Sequence, residues 1–104
     1  MTPWDPEWRA ERERNRELNT GDVIRRLPDT VRDRAYVVGN WVWIGFKERP
    51  AKADREAIQL LGFTWNGKRN VWQHACGQSS RHAPYDPRDK YLTLDVEAAE
   101  KVFA

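Results

Sequence analysis

The chain has 104 residues, a length that fits one domain of common size. Hydrophobic residues make up 39% and charged residues 33% of it, so only a modest core is possible and much of the surface must be solvated or face a partner. The net charge is +2, and the single cysteine excludes an intramolecular disulfide. No apolar run approaches the length of about 18 residues that spans a membrane, and the N-terminus lacks the apolar region of a signal peptide. These features predict a soluble, cytoplasmic protein without a membrane partner.

The first 35 residues predict a charged, helical N-terminal extension. The letters "WDPE" are typical of a helix start, because Asp5 can cap the helix and Pro6 suits its first position. We expect this helix to run to about Leu18 and a short helical turn to follow over residues 22–27. Since most residues of the first helix are charged, it is expected to be solvated or to lie across a partner.

The middle of the chain predicts a hairpin, a helix and a second hairpin. In "YVVGNWVWIGF" the pair Gly39-Asn40 fits a two-residue turn between strands. A helix is expected from about residue 51 to residue 61, ended by Gly62. In "GFTWNGKRNVWQH" the strands are expected at residues 63–65 and 70–73. The apolar stripe of the helix is predicted to comprise Ala53, Ala57, Ile58 and Leu61.

The C-terminal part predicts a loop, a strand and a last helix. Residues 77–90 hold two prolines, a glycine and two serines, which indicate a mobile, slightly basic loop. The letters "YLTL" predict a short strand, and Asp95 is expected to cap a helix from Val96 to about Phe103. The predicted fold of residues 36–104 is an α+β domain. It is a small antiparallel sheet of two hairpins plus a terminal strand, packed on a short helix, with N- and C-terminal helices.

The second strand of the first hairpin separates two kinds of side chain. Val42, Ile44 and Phe46 are expected to face the helix, which places Trp41 and Trp43 on the opposite side. Two interpretations remain open for this pair of tryptophans. They form a second small core with Trp4, Trp8 or Phe103, or they are exposed as a platform on which nucleic-acid bases stack.

Basic residues concentrate in the aromatic part of the chain. Residues 36–90 hold nine Lys or Arg against five Asp or Glu, whereas residues 1–35 are neutral and residues 91–104 are acidic. Such a distribution is typical of a nucleic-acid surface, although a solvated face gives the same pattern. The candidate nucleic-acid-binding residues are Trp41, Trp43, Lys47, Arg49, Lys68, Arg69, Arg81, Arg88 and Lys90.

The second hairpin is expected to place its aromatic residues in the core and its cations at the tip. With a four-residue loop, Trp65 opposes Asn70 and Phe63 opposes Trp72, so the three aromatic side chains are mainly structural. Lys68 and Arg69 would project from the turn as contacts to backbone phosphates or as solvated charges. If the hairpins share a sheet, we expect these two cations to form one basic edge with Lys47 and Arg49.

No pattern in the chain predicts catalysis. His74, Cys76 and His82 are the nearest approach to a metal site, with Asp86 or Asp89, but zinc-binding pairs such as CxxC or HxxxH are absent from the sequence. Cys76 and His74 lie on one short strand, which disfavours a nucleophile–base pair. We therefore predict no bound metal, no cofactor and no enzymatic activity.

The stretch "GNWVWIGF", a helix and "LLGFTWNGKRNVWQH" resembles a small module of plasmid, phage and conjugative-element proteins. The matching residues are Gly39, Asn40, Trp41, Gly62, Phe63, Trp65 and Trp72, with Lys68 and Arg69 in the basic turn. The resemblance implies an accessory of proteins that handle DNA. Two functions stay open: a nucleic-acid-binding accessory protein of a mobile genetic element, for DNA or RNA, and a protein-interaction factor that docks as an inhibitor or adaptor on a host or defence complex. The partner is accordingly a nucleic acid or a protein complex that acts on one.

Overall fold

The computed structural model describes residues 2–78 and 85–103. These residues form helices and one antiparallel sheet, joined by turns and loops, which confirms the predicted α+β class. The helices are α1 (Pro6–Arg16), α2 (Thr20–Arg26), α3 (Lys52–Leu61), α4 (Pro87–Lys90) and α5 (Val96–Val102). The strands are β1 (Ala35–Val38), β2 (Trp41–Ile44), β3 (Thr64–Asn66), β4 (Val71–His74) and β5 (Thr93–Asp95).

The sheet has the strand order β3-β4-β2-β1-β5. Its two hairpins are those expected from the sequence, and they join through β2 and β4, where Val42 is opposite His74. Gly39 has a φ of 61°, a conformation that glycine adopts without steric strain, in the turn of the first hairpin. β5 lies beside β1 at one edge, with Leu94 opposite Val37. Side chains alternate along these strands, so the sheet has two faces of different composition.

The main core lies between one face of the sheet and α2, α3 and α5. As predicted from the sequence, Ile58 and Leu61 of α3 are buried in one cluster with Val42 and Ile44 of β2. Ala53 and Ala57 are exposed, so half of the predicted apolar stripe is wrong. The helix is rotated about its axis such that Asp54 is half-buried instead. The buried members are Val23, Ile24, Leu27, Val31, Ala35, Val37, Val42, Ile44, Ile58, Leu61, Phe63, Trp72, Cys76, Val96 and Ala99.

The N-terminal segment is part of this packing. Val23 and Ile24 of α2 are buried in the main core. α1 has no buried residue, yet it is attached to α3 by polar contacts: Asn15 Nδ2 donates to the Leu60 carbonyl oxygen at 2.9 Å, and Arg12 donates to the Phe63 carbonyl oxygen at 2.9 Å. Residues 1–35 were predicted as an extension separate from the domain of residues 36–104, but α1 and α2 pack with that domain. The sequence pattern of α1 shows that the helix is charged and does not show that it contacts α3.

Local sequence signals define most helix ends. Gly62 has a φ of 113° at the C-terminal end of α3, and the Asp95 side chain accepts a hydrogen bond from the Ala98 N–H at 2.7 Å at the start of α5. The expected cap at α1 is wrong, because the Asp5 carboxylate accepts from the Thr2 N–H instead. Within the described ranges, no helix has the length and apolar character that crossing a membrane requires.

The segment predicted as a mobile loop is only partly described. Residues 79–84, including Arg81 and His82, lie outside the described residues. Residues 87–90, expected to be irregular, form the short helix α4. The Asp86 side chain accepts from the Arg88 N–H at 2.9 Å, and a proline occupies the first turn, so local chemistry explains this helical turn.

Candidate nucleic-acid interface

The face of the sheet opposite the main core carries the predicted tryptophan pair. Trp43 is 2% exposed and forms a second cluster with Val38 and Val71, against which Tyr36 and Trp41 pack. This confirms the opposite orientation of Trp43 and Ile44 along β2. Tyr36 lies directly across from Trp43, with the ring centroids 6.1 Å apart. Sequence reasoning overlooked Tyr36, although the Gly39-Asn40 turn fixes a register that pairs it with Trp43.

The cover over Trp43 comes from an unexpected part of the chain. The guanidinium carbon of Arg88, in α4, lies 5.3 Å from the centroid of the Trp43 ring, a cation–π arrangement. Trp4, one of the expected partners, is 78% exposed, and Phe103 packs against the main core. The Trp43 ring is thus enclosed and presents no open face for stacking, while Trp41 is half-buried.

Asp86 holds two of the candidate arginines in place. Arg88 Nη2 lies 2.7 Å from Asp86 Oδ2, and hydrogen bonding from Arg88 lowers the pKa of Asp86 to about 2. Arg69 Nη2 donates to the Tyr85 carbonyl oxygen at 2.6 Å, and Arg69 Nε lies 3.9 Å from Asp86 Oδ1. The Arg69 side chain is only 11% exposed, so it links the second hairpin to the residues before α4.

Three candidate cations occupy one end of the sheet. Ile44, the last residue of β2, is opposite Trp72, near the start of β4, so the chain that follows β2 leaves the sheet at the end where the β3–β4 turn lies. Lys47 and Arg49 follow β2, and Lys68 is in the turn; all three side chains are exposed. The topology therefore places these three residues in segments that lie at the same end of the sheet, whereas Arg69 turns towards Tyr85.

The turn between β3 and β4 is held by Asn66. Its Oδ1 accepts from the N–H of Lys68 at 3.1 Å and from that of Arg69 at 3.2 Å, while its Nδ2 donates to Gln73 Oε1 at 3.1 Å. Asn70 adopts a φ of 58°, a left-handed conformation that asparagine tolerates better than most residues. These contacts fix the backbone of the turn and leave the Lys68 side chain in solvent.

The register of this hairpin differs by two residues from the expected one. Trp65 is opposite Trp72, and Asn66 is opposite Val71, so the predicted pairs of Trp65 with Asn70 and Phe63 with Trp72 are wrong. The strand pairing continues to Asn66 because its side chain closes the turn and Asn70 belongs to the loop. Phe63 and Trp72 are buried as expected, but Trp65 is 47% exposed.

His74 is a structural residue in this arrangement. Its Nε2 lies 2.9 Å from the Asn15 carbonyl oxygen and 3.1 Å from the Leu61 carbonyl oxygen, and its Nδ1 accepts from the Cys76 N–H at 2.9 Å. Both ring nitrogens therefore have protein partners. The candidate metal ligand His82 lies outside the described residues, and within residues 2–78 and 85–103 no group of three potential ligands gathers.

Two other candidate residues have different outcomes. Lys90 is exposed, with its Nζ 5.1 Å from the centroid of Tyr85 and 5.4 Å from that of Tyr91. Arg81 lies outside the described residues.

Comparison of the chain with protein-family models, with curated proteins and with solved structures finds no match. The resemblance to a module of mobile-element proteins thus stays a prediction.

Proposed function

We propose that the protein is a non-catalytic nucleic-acid-binding accessory, and, following the resemblance of its sequence, one that belongs to a mobile genetic element. The observation that carries this proposal is the placement of Lys47, Arg49 and Lys68 at one end of the sheet with exposed side chains. Exposed cations on a fixed scaffold meet phosphate oxygens without displacing an existing ion pair.

Arg69 and Arg88 differ from these three residues in their contacts. Arg69 and Arg88 are engaged by Tyr85 and Asp86, whereas Lys47, Arg49 and Lys68 make no ion pair with any described residue. The Arg88 side chain is still 40% exposed and lies over the Trp43 ring, so it is a further, ion-paired cation on the face that carries Trp43. Phosphate binding by the end of the sheet is therefore the simplest function that this surface supports.

The test is a salt titration of binding to labelled DNA and RNA. We expect the variant with Lys47, Arg49 and Lys68 replaced by Ala to bind more weakly, with the slope of log affinity against log salt shallower by about two to three units. The matched control replaces three exposed cations elsewhere: Arg14, Arg26 and Lys101. Equal slopes for the two triple variants would contradict the proposal, as would the absence of any binding by the wild-type protein.

A second candidate function, docking on a protein complex that acts on nucleic acid, is favoured by one specific observation. Leu92 is 73% exposed and Tyr91 is 46% exposed, beside the first hairpin turn at the far end of the sheet from the three cations. The Gly39 N–H donates to the Leu92 carbonyl oxygen at 3.0 Å, so this apolar pair is fixed to the sheet. Pull-downs after nuclease treatment, with wild-type protein and a Leu92→Ser variant, would test this function. Loss of one captured complex in the variant supports docking, and equal capture contradicts it.

A further inference from the structure

We propose that Trp65 and Lys68 together contact one unpaired nucleotide, so that the preferred ligand is a single-stranded nucleic acid. This inference rests on the proposed function and names the form of nucleic acid that the basic end of the sheet binds. It also moves the stacking role from Trp41 and Trp43, for which the sequence left that role open, to a tryptophan that the sequence assigned to the core.

Trp65 is the residue of the sheet with the geometry of a stacking platform. It lies on the edge strand β3 and is 47% exposed, whereas Trp72 beside it is 8% exposed. The two ring centroids are 5.5 Å apart with an interplanar angle of 57°. One side of the indole is therefore supported by a buried aromatic ring while much of the rest faces solvent. An aromatic ring fixed in this way loses little conformational freedom when a base stacks on it.

The indole also lies against the turn that carries the exposed lysine. A Cβ atom built on Gly67 would lie 3.4 Å from Trp65 Nε1, which places the backbone next to Lys68 beside the ring. Asn66 fixes that backbone by accepting from the N–H groups of Lys68 and Arg69. A nucleotide carries its base and its phosphate on one sugar, so an aromatic ring beside a cation matches both parts of the same unit. In a duplex the faces of the bases are covered by their neighbours, so the Trp65 ring could not stack on a base and only Lys68 could contact the same nucleotide.

The experiment measures binding of labelled oligodeoxythymidylate and of the matching dT–dA duplex by the whole chain. We expect the wild-type protein to prefer the single strand. Trp65→Leu should weaken binding of the single strand about ten-fold or more, the effect of losing one stacked base, and Trp65→Phe should weaken it less. Duplex binding should change little in either variant. The control is Trp4→Leu, the same replacement at a tryptophan that is 78% exposed.

The outcomes separate this inference from the function on which it rests. If the protein binds both forms in a salt-dependent way but with equal affinity, or if Trp65→Leu binds the single strand as Trp4→Leu does, the inference is overturned and the proposed function stands. If wild-type protein binds neither form, the proposed function fails and the inference fails with it. The comparison of the two forms by wild-type protein needs no variant, so equal affinities overturn the inference even if Trp65→Leu folds poorly, and Trp65→Phe then tests the stacking role.

Discussion

The backbone N–H of Cys76 donates to His74 Nδ1 at 2.9 Å, and this contact fixes the tautomer of the imidazole. Because Nδ1 accepts, the ring proton is on Nε2, which donates to the Asn15 and Leu61 carbonyl oxygens. One neutral side chain thus joins β4 to the last turns of α1 and α3. A proton added at Nδ1 would abolish the bond from Cys76 and place a charge in a buried site.

The first prediction concerns the pH dependence of stability. Burial, together with the nearby charges of Arg12 and Arg16, lowers the pKa of His74 below the value of about 6.5 that it has when unfolded. The unfolded chain therefore binds the extra proton more readily, so the free energy of unfolding is highest above about pH 6.5 and falls as the pH drops below it. Urea unfolding between pH 7.5 and 5 should show this slope in the wild type.

A His74→Gln variant is the control for that slope. It should be less stable at pH 7.5 but should lose most of the pH dependence in this window. Asp86, whose pKa is about 2, titrates at lower pH and does not obscure the measurement. Parallel pH curves for the two proteins would show that His74 is not the group responsible.

The second prediction separates the two tryptophans of the second hairpin by their contribution to stability. Trp72 is 8% exposed in the main core, so Trp72→Ala should lower the free energy of unfolding by about 3–5 kcal/mol. Trp65 is 47% exposed, so Trp65→Ala should lower it by about 1–2 kcal/mol. Denaturant unfolding of both variants measures the difference. Equal losses would mean that the Trp65 ring is as enclosed as that of Trp72.

The third prediction concerns the attachment of α1. The Arg12 guanidinium donates to the carbonyl oxygens of Gln59 and Phe63 at the negative end of the α3 dipole, and to Thr64 Oγ1 at 3.1 Å. Arg12→Ala should therefore lower the free energy of unfolding by about 1–3 kcal/mol. Arg14→Ala, at an exposed position of the same helix, should change it by about 0.5 kcal/mol or less. If both variants unfold alike in urea, the contacts of Arg12 contribute nothing to stability.

The fourth prediction distinguishes the two cations of the second hairpin turn. The sequence treats Lys68 and Arg69 as equivalent surface charges, but the Arg69 side chain is 11% exposed and donates to the Tyr85 carbonyl oxygen. Arg69→Ala should lower the free energy of unfolding by about 1–2 kcal/mol, whereas Lys68→Ala should change it by about 0.5 kcal/mol or less. Thermal and urea unfolding provide the measurement. A neutral Arg69→Ala variant would show that the link to Tyr85 is not maintained in solution.

Local chemistry explains which parts of the fold were predictable. Gly39, Gly62 and Asp95 each act on neighbouring backbone, and each has the turn or cap role that its residue type indicates. The alternation along β2 likewise predicts that Ile44 and Trp43 point to opposite faces. Such features depend on only a few consecutive residues.

The features that escaped prediction depend on residues far apart in the chain. The contact of Arg88 with Trp43 and the bond from Arg12 to Phe63 join segments separated by dozens of residues, and both involve charged side chains that a pattern of polarity assigns to solvent. The predicted register of the second hairpin was wrong for a local reason. Asn66 and Asn70 are both good turn residues, and the sequence does not show which of them belongs to the loop. The exposure of Lys47, Arg49 and Lys68 could therefore be predicted, whereas the burial of Trp43 and the exposure of Trp65 could not.

The outer strands of the described sheet, β3 and β5, are three residues long each. A short outer strand offers few unpaired amide and carbonyl groups to a second chain, which is how many natural proteins avoid aggregation through their sheets. At β3 the Arg12 guanidinium also covers the Phe63 carbonyl oxygen just before the strand begins. Arg12, which attaches α1 to α3, thus also covers part of the β3 edge of the sheet. If α1 detached, this edge, next to the exposed Trp65, would become more accessible for pairing with a strand of another chain.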